Sequence, residues 1–229
     1  MDSIAFKLNE HLFLKDPQHT ELGQSIISNS VQMIDQLGFE QFTFKKLAEE
    51  IKSTEASVYR YFENKHRLLL YLVAWYWSWL EFRIVQETTS LQKPKDKLKA
   101  SLRVITDEKK FDSSFAFVDE VALNRIVIAE LDKTYLTKGV DRDNQEGLFG
   151  GFKSLCNKIG KFISAVDPGY MFPNSLASTV VLAAKQQLFF SLHLPSLSNI
   201  KKDSNVYEGT NQFLEQLVFA QLRNSSDNA

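Results

Sequence analysis

A cluster of hydroxyl, amide and cationic residues between positions 43 and 67 has the chemistry to hold anions. Thr43, Thr54 and Asn64 each precede a short run with helical spacing, and each side chain can accept from the free N–H groups of a helix start. After Thr54, the residues Glu55, Ala56, Ser57, Tyr59 and Arg60 fall on the side away from Val58 and Phe62. Ser57 and Tyr59 are hydroxyl donors suited to phosphate oxygens, and Arg60 reaches a phosphate or a guanine edge. Tyr61 fits either the buried face or the contact face. Lys65, His66 and Arg67 then crowd the first turn after Asn64. The helix dipole disfavours a cation there by about 0.3–1 kcal/mol, and a bound anion reverses that sign. A phosphate of the DNA backbone is one such anion. Between Thr43 and Arg67, six Lys or Arg residues stand against four Glu, so binding is expected to rest on geometry more than on bulk charge.

The elements that must position these residues are helical. Leu22, Ile26, Ile27, Val31, Ile34 and Leu37 recur at steps of three and four, and Gly38 stops the run. A short helix follows Thr43 with Phe44, Leu47, Ala48 and Ile51 on one face. Another follows Thr54 with Val58, Tyr61 and Phe62, and a long one runs from Asn64 through Trp75, Tyr76, Trp77, Trp79 and Phe82. Two short helices joined by a tight turn make a helix-turn-helix, whose second helix can enter a major groove. Further helices are expected near 95–107, 113–136, 144–165, 173–193 and 204–222, with Thr137–Asp143 among the connections. The fold expected is all-α, a three-helix head on a larger helical body, about nine helices in all. Residues 1–16 fit a helix through Ile4, Leu8 and Leu12 or a short strand through Phe6 and Leu8, and Asp16-Pro17 ends either.

The stretch Phe42-Thr43-Phe44-Lys45-Lys46-Leu47-Ala48-Glu49-Glu50, followed by Ser57-Val58-Tyr59-Arg60-Tyr61-Phe62-Glu63-Asn64-Lys65, closely resembles the DNA-binding head of TetR-family transcriptional regulators. The resemblance covers roughly residues 21–70. It implies a head over 20–66 behind an N-terminal extension 1–19, and a ligand-binding and dimerisation body over 67–229. It further implies that Thr43 and Lys45 touch the DNA backbone, that Thr54, Glu55, Ala56, Ser57, Tyr59, Arg60 and Tyr61 belong to the recognition helix, and that Lys65 clamps a phosphate. The partners implied are a palindromic operator, a small-molecule effector that releases a repressor from it, and a second copy paired through 173–193 and 204–222. Two residues depart from the family pattern. Lys52 stands where glycine is common, at a cost of about 1 kcal/mol if its backbone is left-handed. Glu55 stands where many members are basic or neutral.

The rest of the chain adds expectations and exclusions. With 229 residues, 44% apolar and 24% charged, it has the composition of a globular protein. The net charge of -1 announces no bulk basicity, and the single Cys156 allows no internal disulfide, so a cytoplasmic setting is expected. No apolar stretch reads as a membrane span or a signal peptide. The four histidines are scattered and no nucleophile–base set can be assembled, so neither a metal, a cofactor nor an enzyme is expected. Trp75, Trp79, Phe82, Phe149 and Phe152 are the candidates for an aromatic ligand pocket. Gly147, Gly150 and Gly151 suggest either a bent helix beside it or plain close helix packing. The alternative is a partner-binding protein with a TetR-like fold and no DNA binding.

Overall fold

The computed structural model describes residues 4–115, 117–201 and 205–222. Among them are eleven α-helices and no strand: α1 (Glu21–Leu37), α2 (Phe44–Glu50), α3 (Glu55–Tyr59), α4 (Lys65–Thr88), α5 (Pro94–Thr106), α6 (Glu120–Glu130), α7 (Asp132–Tyr135), α8 (Val140–Gln145), α9 (Gly150–Val166), α10 (Pro173–His193) and α11 (Val206–Gln221). The expected caps are in place. Thr43 and Thr54 accept from Lys46 and Ser57 N–H groups, and Asn64 accepts from Arg67 N–H at 2.9 Å. Of the last expected helix, Ser204 lies outside the described residues.

Two stretches differ from the periodic reading. The helix expected over 113–136 starts only at Glu120, where the Asp119 carboxylate accepts from Val121 and Ala122 N–H, and it breaks at Leu131. The helix expected over 144–165 is two helices, because Gly147 adopts φ 77° and reverses the chain between α8 and α9. Residues 140–143, read as a connection, are the first turn of α8.

The chain divides into two compact units, residues 1–77 with 109–151, and residues 78–108 with 152–229. In the first, α1 packs on α2 and α6, and α2 on α3. Residues 68–77 of α4 are buried without exception, so the helix is apolar all round because it is enclosed all round. By length and composition α4 is also apolar enough to cross a membrane, but its apolar window is mostly covered by protein.

The N-terminal segment is neither helix nor strand over most of its length; two 3-10 turns, Glu10–Leu12 and Pro17–His19, interrupt extended chain. It is laid along the first unit as a strap. Phe6 meets Trp75 edge-on at 5.2 Å and stacks on Phe115 at 5.7 Å, while Leu8 and Leu12 are buried. Gln18 exchanges two hydrogen bonds with the Phe6 backbone. Two glycines make its seat. A Cβ on Gly23 would lie 2.3 Å from the Pro17 carbonyl oxygen, and one on Gly147 would lie 2.8 Å from Asn9 Nδ2.

In the second unit α10 packs on α11 and α5. Val180, Val181, Ala184, Leu188 and Ser191 are all buried within the single chain, as are Leu214 and Val218. Arg103 pairs with Glu208 at 3.4 Å, Lys99 with Glu215 at 3.7 Å, and Lys158 with Glu81 at 3.7 Å.

Candidate nucleic-acid interface

The helix-turn-helix is built on a small apolar wedge. Leu47, Ala48 and Val58 are buried between α2 and α3, and Phe44 carries the Tyr59 ring edge-on at 5.1 Å. That wedge leaves the other side of α3 to solvent: Glu55, Ala56, Tyr59 and Arg60 are all exposed, Tyr59 by 46%. Ser57 is half-buried and shares a 2.9 Å hydrogen bond with Thr54. Thr43 spends only an acceptor position on its cap, so its O–H remains a donor that a phosphate oxygen could accept. The turn between the helices passes through Lys52, whose φ of 53° is the only positive value at a non-glycine among the described residues. The left-handed residue expected at that position is therefore present, and it is a lysine.

Tyr61 belongs to the core. It is 2% exposed, and its hydroxyl shares a 2.8 Å hydrogen bond with the Thr20 hydroxyl at the start of α1. The face of α3 that reads outward ends at Arg60.

The basic first turn of α4 has its partners within the protein. Lys65 Nζ donates to the carbonyls of Phe39, Glu40 and Phe42 at 3.1, 3.2 and 3.2 Å and sits over the Phe39 ring. An ammonium has three N–H donors, and all three are used in closing the loop between α1 and α2. Arg67 is mostly covered, with Nη2 bonded to Glu146 at 2.7 Å and Nη1 at 3.8 Å from Asp143. His66 also faces Asp143 at 3.8 Å. Burial holds its imidazole below the usual histidine range, against the pull of that carboxylate. The anions that reverse the dipole penalty are thus Asp143 and Glu146 of α8 and its C-cap. Sequence spacing could not reveal them, because they come from almost eighty residues away.

The loop between α1 and α2 is gripped from a second side. Glu130 accepts from Phe39 N–H at 3.0 Å, and Lys133 bonds Glu130 and pairs with Glu40. Arg125 holds Asp35 through two bonds of 2.8 and 2.6 Å. The end of α1, and so the register from which α2 and α3 depart, is fixed by α6 and α7.

The sequence profile of bacterial regulatory proteins of the tetR family matches residues 26–72, the span from α1 through the buried start of α4. The head is a TetR-family head. Beyond it the likeness is one of fold. FadR from Bacillus subtilis, solved with stearoyl-CoA, is 16% identical with a TM-score of 0.60, covering 85% of this chain and 96% of that one. AibR, solved with isovaleryl coenzyme A and operator DNA, is 15% identical with a TM-score of 0.56, covering 87% and 98%. The superantigen PfiT is 11% identical with a TM-score of 0.58, covering 92% and 100%. No curated protein matches the sequence.

The aromatic candidates behind the TetR-family head are divided between the two units. Trp75 and Phe149 lie in the first unit, Trp75 against Phe6 and Phe115, and Phe149 edge-on to Tyr135 at 5.8 Å. Trp79, Phe82 and Phe152 lie in the second, where Trp79 is buried and the other two are half-buried. Gly147 separates two helices instead of bending one. Gly147 makes a turn and admits Asn9, while Gly150 begins α9 with nothing near its missing side chain. Among the described residues no group of three or more His, Cys, Asp or Glu is placed to hold a metal ion.

Proposed function

We propose that the chain is a sequence-specific DNA-binding transcriptional regulator, acting in the cytoplasm as a repressor that a small molecule releases from a palindromic operator. The observation that carries this is the solvent-facing side of α3. A helix wedged by Val58 presents Glu55, Ala56, Tyr59 and Arg60 outward, in a TetR-family head. Thr43, Lys45, Thr54 and Ser57 supply backbone contacts beside it, and Glu55 accepts from a cytosine amino group. One such helix spans too few bases for a unique site, so a two-fold dimer reading two half-sites one turn apart is part of the proposal. The buried stripes of α10 and α11 are used up inside the chain, so pairing falls to what they leave outside, such as Phe189, Phe190 and Phe213. The effector is an apolar or aromatic molecule held by the body over 67–229. By linkage, it weakens operator binding by the same factor as the operator weakens it.

Titration against DNA from just upstream of the coding region, at two salt concentrations, tests the reading. Salt-weakened nanomolar binding that Arg60→Glu abolishes, with unfolding temperature unchanged, supports it. A folded dimer that binds no DNA would overturn it. That outcome would favour the partner-binding reading, whose motive is the exposed Glu55 together with a Lys65 and Arg67 already spent inside the protein. PfiT illustrates that the same fold serves a protein described as a superantigen.

A further inference from the structure

The head keeps few cations for DNA. Between Thr43 and Arg67, Lys65 is spent on three carbonyls, Arg67 on Glu146, and Lys46 on the Gln41 carbonyl at 2.9 Å. That leaves Lys45, Lys52 and Arg60, all exposed and none paired with a carboxylate among the described residues. The strap supplies another. Lys15 is exposed, pairs with no carboxylate among the described residues, and holds its ammonium 5.2 Å over the ring of Tyr61, the residue that follows Arg60. Its place is fixed by the chain on both sides. Leu14 N–H donates to the Tyr61 carbonyl at 2.8 Å. The neighbouring acid is turned to local work, since Asp16 caps Gln18 N–H and pairs with His19 at 3.4 Å. Further along, the Pro17 backbone rests on Gly23, and Phe6, Leu8 and Leu12 are locked into the core.

A free lysine loses rotamer entropy on meeting a phosphate, and one tethered over the ring of the residue next to Arg60 loses less of it. We infer that the strap is part of the DNA interface: Lys15 contacts a backbone phosphate flanking the bases read by α3. The contact is to phosphate, so it adds affinity at every sequence and discriminates among none.

This rests on the DNA-binding reading above. The test is fluorescence anisotropy of the full chain on its upstream DNA and on a scrambled duplex, over a salt series, with Lys15→Gln and Lys15→Arg beside the wild type. Losing one phosphate contact lowers the slope of log affinity against log salt by about 0.9. The advantage of wild type over Lys15→Gln should therefore shrink about threefold for each fourfold rise in salt. The ratio of specific to scrambled affinity should stay fixed, and Lys15→Arg should restore the slope. A merely structural lysine would shift unfolding temperature and leave the salt slope alone. If the wild type binds DNA and Lys15→Gln keeps its slope, the inference fails while the reading beneath it stands. If the wild type binds no DNA, both fall.

Discussion

Lys52 and Lys65 carry opposite lessons at the scale of single residues. Lys52 sits at φ 53° in the turn of the helix-turn-helix, where a Cβ is disfavoured and glycine is not. Lys52→Gly is expected to raise stability by about 1 kcal/mol, read as a higher urea midpoint at unchanged slope. The strain was legible through the resemblance, in which glycine is common where Lys52 stands. Lys65 was legible as a cation with a job and illegible as to which. Its partners are the carbonyls of residues 39, 40 and 42, which reach it only once the loop after α1 has closed on the start of α4. Lys65→Met keeps the aliphatic stem and removes the donors, so it should cost about 1 kcal/mol by leaving the part-buried carbonyls of Phe39 and Phe42 unmet. The check is that operator affinity, measured well below the unfolding midpoint, falls far less than it does for Arg60→Glu.

At the scale of elements, capping signals and apolar period placed α1 to α4 closely, since Thr43, Thr54 and Asn64 all cap as their types suggest. The strap and the α8–α9 turn were not readable, because both depend on a neighbour remote in sequence. Gly147 looked like a helix weakness, yet its positive φ and the Asn9 side chain against it form one joint. Asn9 Nδ2 donates to the Glu146 carbonyl at 2.9 Å over a glycine with no room for a methyl. Gly147→Ala should therefore destabilise twice over, by about 1 kcal/mol of backbone strain and by the clash. Asn9→Ala in that background should relieve the clash alone. A double-mutant cycle by urea unfolding checks this, with a coupling of about 0.5–3 kcal/mol between the two sites. Strictly additive losses would mean that the strap gives way and the joint is loose.

For the whole molecule, two groups of the first unit, buried Glu120 and half-buried His66, pull the pH dependence of stability in opposite directions. Glu120 is fully covered at the start of α6, with one oxygen accepting from Asp112 N–H at 3.4 Å and the other without a hydrogen bond. Burial first, with the charges of Asp112 and Asp119 added, pushes its carboxyl up to about 7. The unfolded chain ionises it at the ordinary carboxylate value, so between about pH 4.5 and 7 the folded state holds the extra proton. Its contribution is full at low pH and is lost as pH rises through 7. His66 does the reverse. Burial holds it below the ordinary histidine value, so in the window under pH 6.5 the unfolded state takes the extra proton and acid destabilises the fold. Between pH 5 and 7 the two slopes offset each other, each bounded at about 1.4 kcal/mol per pH unit. Wild-type stability should therefore fall with pH less steeply than Glu120 alone would make it. Glu120→Gln unmasks a rise with pH, and His66→Gln steepens the fall. Urea unfolding at pH 5, 6, 7 and 8, followed by tryptophan emission, distinguishes the cases. A Glu120→Gln variant whose stability runs parallel to wild type would mean that the carboxylate is solvated and charged in the folded protein.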